Sequence, residues 1–281
     1  MTNVELSQAS FDLGQDIRLE KTFAHLMSVN MMAFSPAEPG RPHPAPWKAA
    51  KGGFGYDVSI EIQVPTGTPL PGSLNARDAI WLIAALLRLA KFPYLMVPII
   101  SDHSFSSIPK SADEPVLEPF ETEKRLLRAA EETSTEVDCD SLDWVRRVWP
   151  FTAELIEKHS RFATAFRAFD SCTIRGRTSS SLLTLWGGIE QLFSPSPGEL
   201  RYRVSSNIAA FLHPPGNDRL ATYREIMNLY NERSTAAHTA SAIDQGPLIQ
   251  SYVIMRNALI RMIDEHHVPT QAELENAIFA Q

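Results

Sequence analysis

The chain has 281 residues, 44% hydrophobic and 21% charged, which is ordinary globular composition. That length is long for one helical bundle and comfortable for two modest domains. A net charge of −7 argues against a general nucleic-acid binder that works through a long-range basic field.

Two cysteines, Cys139 and Cys172, show no metal or redox spacing, so a disulfide scaffold is excluded and a reducing compartment fits. The longest apolar run, Ala79 to Leu87, spans nine residues before Arg88. That is far short of the ~20 needed to cross a bilayer. Residues 1–30 carry no continuous apolar stretch of the secretory kind. The expectation is a soluble, cytoplasmic protein with no membrane association. Charge is unevenly spread. Residues 1–140 hold 12 Lys+Arg against 19 Asp+Glu, whereas residues 141–281 hold 14 against 14, and 13 of those 14 cations are arginine. Arginine is the bidentate phosphate binder; a GC-rich genome would produce the same bias.

In chain order, Phe34 to Gly53 is rich in Pro, Ala and Gly and reads as a loop. From Tyr56 to Val64, Val58, Ile60, Ile62 and Val64 alternate with polar residues, the mark of a strand with one wet face. A helix is predicted from about Arg77 to Lys91, with Asn75 as N-cap and Pro93 as stop. Leu95–Ile100 is predicted as a short edge strand because of Pro98, and Pro115–Phe120 as another. Residues Asp113 to Asp140 hold ten acids and three cations, predicting a solvated helix and linker.

Beyond them the pattern is helical. Pro150 suits an N1 position, ahead of the stripe Leu155, Ile156, His159, Phe162, Phe166 and Phe169. Further helices are predicted at Ser179–Phe193, Glu199–Leu212, from Asn217 or Asp218 onward, at Pro247–His266, and after a Thr270/Glu273 capping box. Short loops favour an antiparallel bundle. The expected fold is α+β: an N-terminal α+β accessory or sensor domain (1–120), an acidic helical linker (121–145) and a helical bundle (146–281).

Most familiar chemistries find no motif. His266 and His267 lack a zinc frame, no Gly-rich phosphate loop is present, and no GxSxG elbow appears. Neither a cofactor nor a metal is expected. Gly187-Gly188 falls inside a helical stripe, where close helix packing explains it better than ligand binding. What remains is Arg233-Ser234-Thr235-Ala236-Ala237-His238, an Arg-x4-His. Arg18/His25, Arg261/His266 and Arg261/His267 have comparable spacings, so spacing alone does not choose.

Context does. Arg161-Phe-Ala-Thr-Ala-Phe-Arg is followed by Leu182-Leu-Thr-Leu-Trp-Gly-Gly-Ile-Glu190-Gln-Leu-Phe193, then by Glu199-Leu-Arg-Tyr-Arg203-Val. The series ends in Tyr223-Arg-Glu-Ile-Met-Asn-Leu-Tyr230-Asn-Glu-Arg-Ser-Thr-Ala-Ala-His238. This ensemble, over about residues 155–265, resembles the Apea-like branch of the HEPN superfamily. Thr239 stands where that family usually has glycine, and Ala236 and Ala237 are smaller than its usual aliphatics.

The resemblance implies a HEPN helical bundle and metal-independent endoribonuclease activity of the defence or toxin type. It implies His238 in proton transfer and Arg233 on the scissile phosphate. Both residue types suit those roles. Histidine exchanges a proton near neutral pH, and arginine grips a phosphate bidentately. Ser234 either contacts phosphate or, preferably, caps a helix. Glu190 either pairs with Arg233 or is a solvated acid, and Arg203 is a phosphate contact or, preferably, a structural partner. Asn228 on the same helix is a further supporting candidate. Five residues on a helix are about 140° of rotation, so Arg233 and His238 share no face. A helix end, or a groove completed by a second chain, is expected. The expected partners are RNA, a second copy, and a regulator at the N-terminal domain. The alternative is an inactive HEPN module that binds RNA or a protein.

Overall fold

The computed structural model describes residues 1–125, 135–174, 176–194, 199–238 and 244–279; the side chains at 28, 29, 52–54 and 238 lie outside that description. The fold is mixed α+β, with strands mostly N-terminal and helices mostly C-terminal. Among the described residues, no helix is long and apolar enough to cross a membrane.

Strand β1 (Glu5–Leu6) precedes an antiparallel sheet of β2 (Ser10–Gly14), β3 (Ile17–Ala33) and β4 (Trp47–Gln63), in that order. Gln15 and Asp16, both at positive φ, join β2 to β3, as a two-residue turn of the primed type requires. Beyond Lys21, β2 no longer covers β3, and β3 and β4 continue as a two-stranded ribbon out to Ala33 and Trp47. The ribbon corrects two expectations: β4 begins nine residues before Tyr56, inside the stretch read as a loop, and β3 has no counterpart among the predicted elements. Near the sheet the ribbon still alternates, with Thr22, Ala24 and Leu26 half-buried between exposed Phe23, His25 and Met27 and with Val58 buried, whereas Asn30, Met31 and Met32 further out are all exposed.

Helix α1 (Ala76–Ala90) follows, one residue from its predicted bounds. Asn75 caps it by accepting from the Asp78 N–H at 2.9 Å. From Leu82 to Ala90 every residue is buried, as an all-round apolar helix demands. The predicted Leu95–Ile100 strand shortens to β5 (Ile99–Ser101), which begins just after Pro98 and pairs antiparallel with β6 (Leu117–Pro119).

The described flanks of the predicted linker are tied down; residues 126–134 lie outside the described residues. Arg125 is buried, and β7 (Glu136–Val137) pairs parallel with β1. The bundle then comprises α2 (Cys139–Lys158), α3 (Ser160–Ser171), α4 (Thr178–Phe193), α5 (Leu200–Leu212), α6 (Asn217–His238), α7 (Gly246–Asp264) and α8 (Gln271–Phe279). Pro150 lies inside α2, not at a helix start. Asp138 sets the true N-terminus by accepting from the Ser141 N–H at 2.7 Å, and burial of Val145, Val148 and Trp149 offsets the hydrogen bond proline cannot make. The aromatic stripe is accordingly split at His159 between α2 and α3. The Thr270/Glu273 box forms as expected, with the Thr270 N–H donating to Glu273 at 2.7 Å.

One apolar core runs from Met1 through α1 to Leu274 and includes both the sheet side and the bundle. At their seam lies a buried charge network. Arg88, on α1, donates to both Glu121 oxygens at 2.7 and 2.8 Å, to Asp170 Oδ1 at 2.8 Å and to the Leu95 carbonyl at 2.9 Å. Arg125 reaches Glu121 at 2.7 Å, Asp170 Oδ2 at 3.2 Å and Thr173 Oγ1 at 2.6 Å. Trp81 Nε1 also donates to Asp170, at 3.1 Å. Asp170 closes α3, so this network joins α1 to the bundle.

The glycine pair divides its roles. A Cβ on Gly188 would meet the Ala168 side chain at 2.8 Å and Ala165 Cα at 3.2 Å, whereas one on Gly187 meets nothing within 4 Å. Gly187→Ala is therefore expected to stabilise by about 0.5–1 kcal/mol through helix propensity. Gly188→Ala is expected to destabilise by about 1–3 kcal/mol, because α3 and α4 must separate. Denaturant unfolding of the two variants checks this, and equal shifts would refute the packing role of Gly188.

Candidate functional site

The Arg-x4-His segment lies in the last described turns of α6 (Asn217–His238), and the residues that follow, 239–243, lie outside the described residues. Arg233 and His238 are about 7.5 Å apart along the axis and about 140° around it. The His238 side chain and Thr239 lie outside the described residues.

Arg233 is fixed from two sides. Its Nη2 lies 3.2 Å from Glu190 Oε1 and donates to Oε2 at 3.3 Å. Its guanidinium carbon lies 5.5 Å from the centre of the Tyr230 ring. Tyr230 in turn meets Trp186 edge to face at 5.5 Å, and Trp186 Nε1 donates to Ser251 Oγ on α7 at 3.0 Å. Burial and then the Glu190 carboxylate push the Tyr230 phenol above its ordinary range, and the two side chains are hydrogen bonded. The cluster is built on helix spacing: Trp186 and Glu190 are four apart on α4, and Tyr230 and Arg233 three apart on α6. The Arg233 side chain stays 28% exposed while its Nε is buried without a hydrogen-bond partner among the described residues. The guanidinium is thus anchored at one end and open at the other.

Of the two readings of Glu190, pairing with Arg233 is the one observed. Ser234 lies inside α6, four residues before its end, so it caps no helix start. The preferred capping role is corrected, because α6 runs on to His238. Asn228 is exposed on α6. Arg203, half-buried on α5, makes no ion pair among the described residues, so the structural acid partner preferred for it is not found there. An open cleft of about 550 Å³ beside Tyr230 is instead lined by Arg201, with Glu199, Tyr202 and Met227. Tyr230, Trp186 and Arg201 are the members that spacing does not single out. The paired i,i+4 and i,i+3 offsets around Glu190 and Arg233 are the available signal.

The rival pairs are engaged elsewhere. His25 bonds Asp57 at 2.7 Å on the β3–β4 ribbon. Arg261 reaches Glu265 at 2.7 Å and the Phe211 carbonyl. His266 stacks on Phe151 at 4.1 Å, and His267 bonds Glu273 at 3.0 Å. No protein-family model, curated protein or solved structure matches this chain.

Proposed function

We propose that the bundle is a HEPN-type endoribonuclease, acting in defence or as a toxin, that cleaves RNA without a metal. The observation that carries this is the anchored Arg233: an arginine held by Glu190 and Tyr230, with its side chain still 28% exposed, about one and a half turns before His238 on the same helix. Cleavage by a neighbouring 2′-hydroxyl needs three things that side chains supply. A base takes the 2′-hydroxyl proton, a cation steadies the charge growing on the phosphorane, and an acid protonates the leaving 5′-oxygen. The new bond is 2′-O to phosphorus and the broken one is phosphorus to 5′-O. In this assignment His238 moves the protons and Arg233 binds the phosphate. Glu190 and Tyr230 position Arg233. The 140° offset between Arg233 and His238 makes a groove between two copies the natural place for one phosphate to meet both residue types, with a two-fold axis supplying two of each.

Pure protein incubated with total RNA in EDTA is expected to leave 2′,3′-cyclic phosphate and 5′-hydroxyl ends. Cleavage that vanishes in EDTA and returns with magnesium would refute the metal-independent route. A second reading, an inactive module that binds RNA or a partner protein, is favoured by the closed Glu190–Arg233 pair, which also serves as a structural tie between α4 and α6. Binding of RNA with no new ends in the same assay would select it.

A further inference from the structure

Tyr202, on α5, is 54% exposed, whereas Tyr223, Met227 and Tyr230 on α6 are half-buried. The Tyr202 and Tyr223 rings meet edge to face, 6.2 Å between centres. That contact steadies Tyr202 while leaving over half of the residue in water. Tyr202 and Tyr230 line the same cleft of about 550 Å³, and the Arg233 guanidinium carbon lies 5.5 Å from the centre of the Tyr230 ring. One surface thus leads from Tyr202 to Arg233. Tyr223 and Tyr230 are seven residues apart, so this surface runs about 10 Å along α6.

Charge divides between the cleft and its surroundings. In the cleft Arg201 is offset by Glu199, and Leu200, Met227 and the two tyrosines supply the remaining lining. A near-neutral lining rich in rings suits an uncharged planar group better than a phosphate. Arg203 follows Tyr202 in the chain and Arg224 follows Tyr223. Neither makes an ion pair among the described residues, so both are available to phosphates on either side of such a group. Planar groups flanked by phosphates are what an unpaired nucleic-acid strand presents, and aromatic side chains hold its bases by stacking.

We propose that Tyr202 is a stacking platform for an unpaired base of single-stranded RNA, on a nucleotide flanking the phosphate that Arg233 holds. The inference rests on the reading of α6 as an RNA-contacting helix, and it applies whether that RNA is cleaved or only bound. Tyr202 is a binding residue and takes no part in proton transfer. The platform defines the substrate class, because a duplex keeps its base faces inside its own stack, where a side chain on a surface cleft does not reach them.

Fluorescence anisotropy of the full chain with a short labelled RNA, 2′-O-methylated throughout so that it is not cleaved, tests this apart from catalysis. Wild-type protein is expected to bind the single strand, and to bind it more weakly once it is paired with its complement. Tyr202→Ala is expected to weaken binding by about tenfold, whereas Tyr202→Phe, which keeps the ring, should bind as wild type does. Tyr202→Leu keeps apolar bulk against Tyr223 without a ring face, and serves should the alanine variant fold poorly. On cleavable RNA, Tyr202→Ala should raise KM and leave kcat near wild type, since it holds the strand away from the reacting atoms. Wild-type protein that ignores the single strand, or binds the duplex as tightly, would overturn the proposal. So would alanine and leucine variants that bind as tightly as wild type. Cleavage by Tyr202→Ala at the wild-type KM would overturn the platform and leave the ribonuclease reading standing. Binding that depends on Tyr202, with no new ends on cleavable RNA, would sustain the platform and remove the ribonuclease reading.

Discussion

Asp170→Ala is expected to cost about 3–5 kcal/mol, because it leaves the two buried cations Arg88 and Arg125 with Glu121 as their one remaining shared carboxylate. A typical domain has only about 5–15 kcal/mol in total, so the variant should be near its folding threshold. Asp170→Asn keeps the shape and should cost less. The loss should appear as one cooperative transition seen by near- and far-ultraviolet circular dichroism alike, because the network and the core are shared by the sheet side and the bundle. A cost below about 1 kcal/mol would show that the network is dispensable.

The same carboxyl predicts a pH dependence. Burial alone would raise its pKa, but Arg88 and then Arg125 outweigh burial and hold it below the ordinary carboxylate range. A depressed folded value means the unfolded chain binds the proton more readily. The stabilisation is therefore present above about pH 4, the ordinary carboxylate value, and is lost as pH falls through the lower folded value. Wild-type protein should lose stability on acidification in that window, and Asp170→Asn should lose less.

His238→Ala is expected to lower the rate of RNA cleavage by about 10²–10⁴, the usual worth of a general acid–base group. Melting temperature is expected to hold, which separates loss of a proton carrier from loss of the fold. His266→Ala is the control: its ring stacks on Phe151 away from Arg233, and cleavage should be unaffected. Arg233→Lys should also fall well below wild type, since a lysine keeps the charge but loses the fork that meets both Glu190 and a phosphate. If the site is composite, mixing Arg233→Ala with His238→Ala chains should restore part of the activity that neither shows alone. Loss of cleavage in His266→Ala with His238→Ala unaffected would assign the chemistry to the other motif, and a strict monomer cleaving at full rate would refute the shared groove.

The helices were legible because their signals are local. Asn75 and Thr270 cap where the sequence says they should, and α1, α4, α5 and α8 begin within a residue or so of prediction. Pro150 misled because tertiary burial of its neighbours outweighed a local rule. The ribbon was illegible for the opposite reason: strand pattern is read from a buried face, and its distal half has none. In the site, Arg233 and Glu190 stood out only through their family-like context. The network of Arg88, Glu121, Arg125 and Asp170 could not be read at all, since its partners are up to 82 residues apart and no periodicity links them. Arg88 read simply as the end of an apolar run.

The parallel pairing of β1 with β7 sets an order on folding. Glu5 finds its partner in Glu136 and Leu6 in Val137, across more than a hundred residues. Closing so long a loop costs entropy before any contact repays it. During synthesis, the first strand must therefore wait until β7 has left the ribosome. The sheet side is then completed almost together with the start of α2, two residues further on. The N-terminal part consequently cannot finish as a unit ahead of the helices, and a chain cut before Glu136 leaves β1 with an open edge.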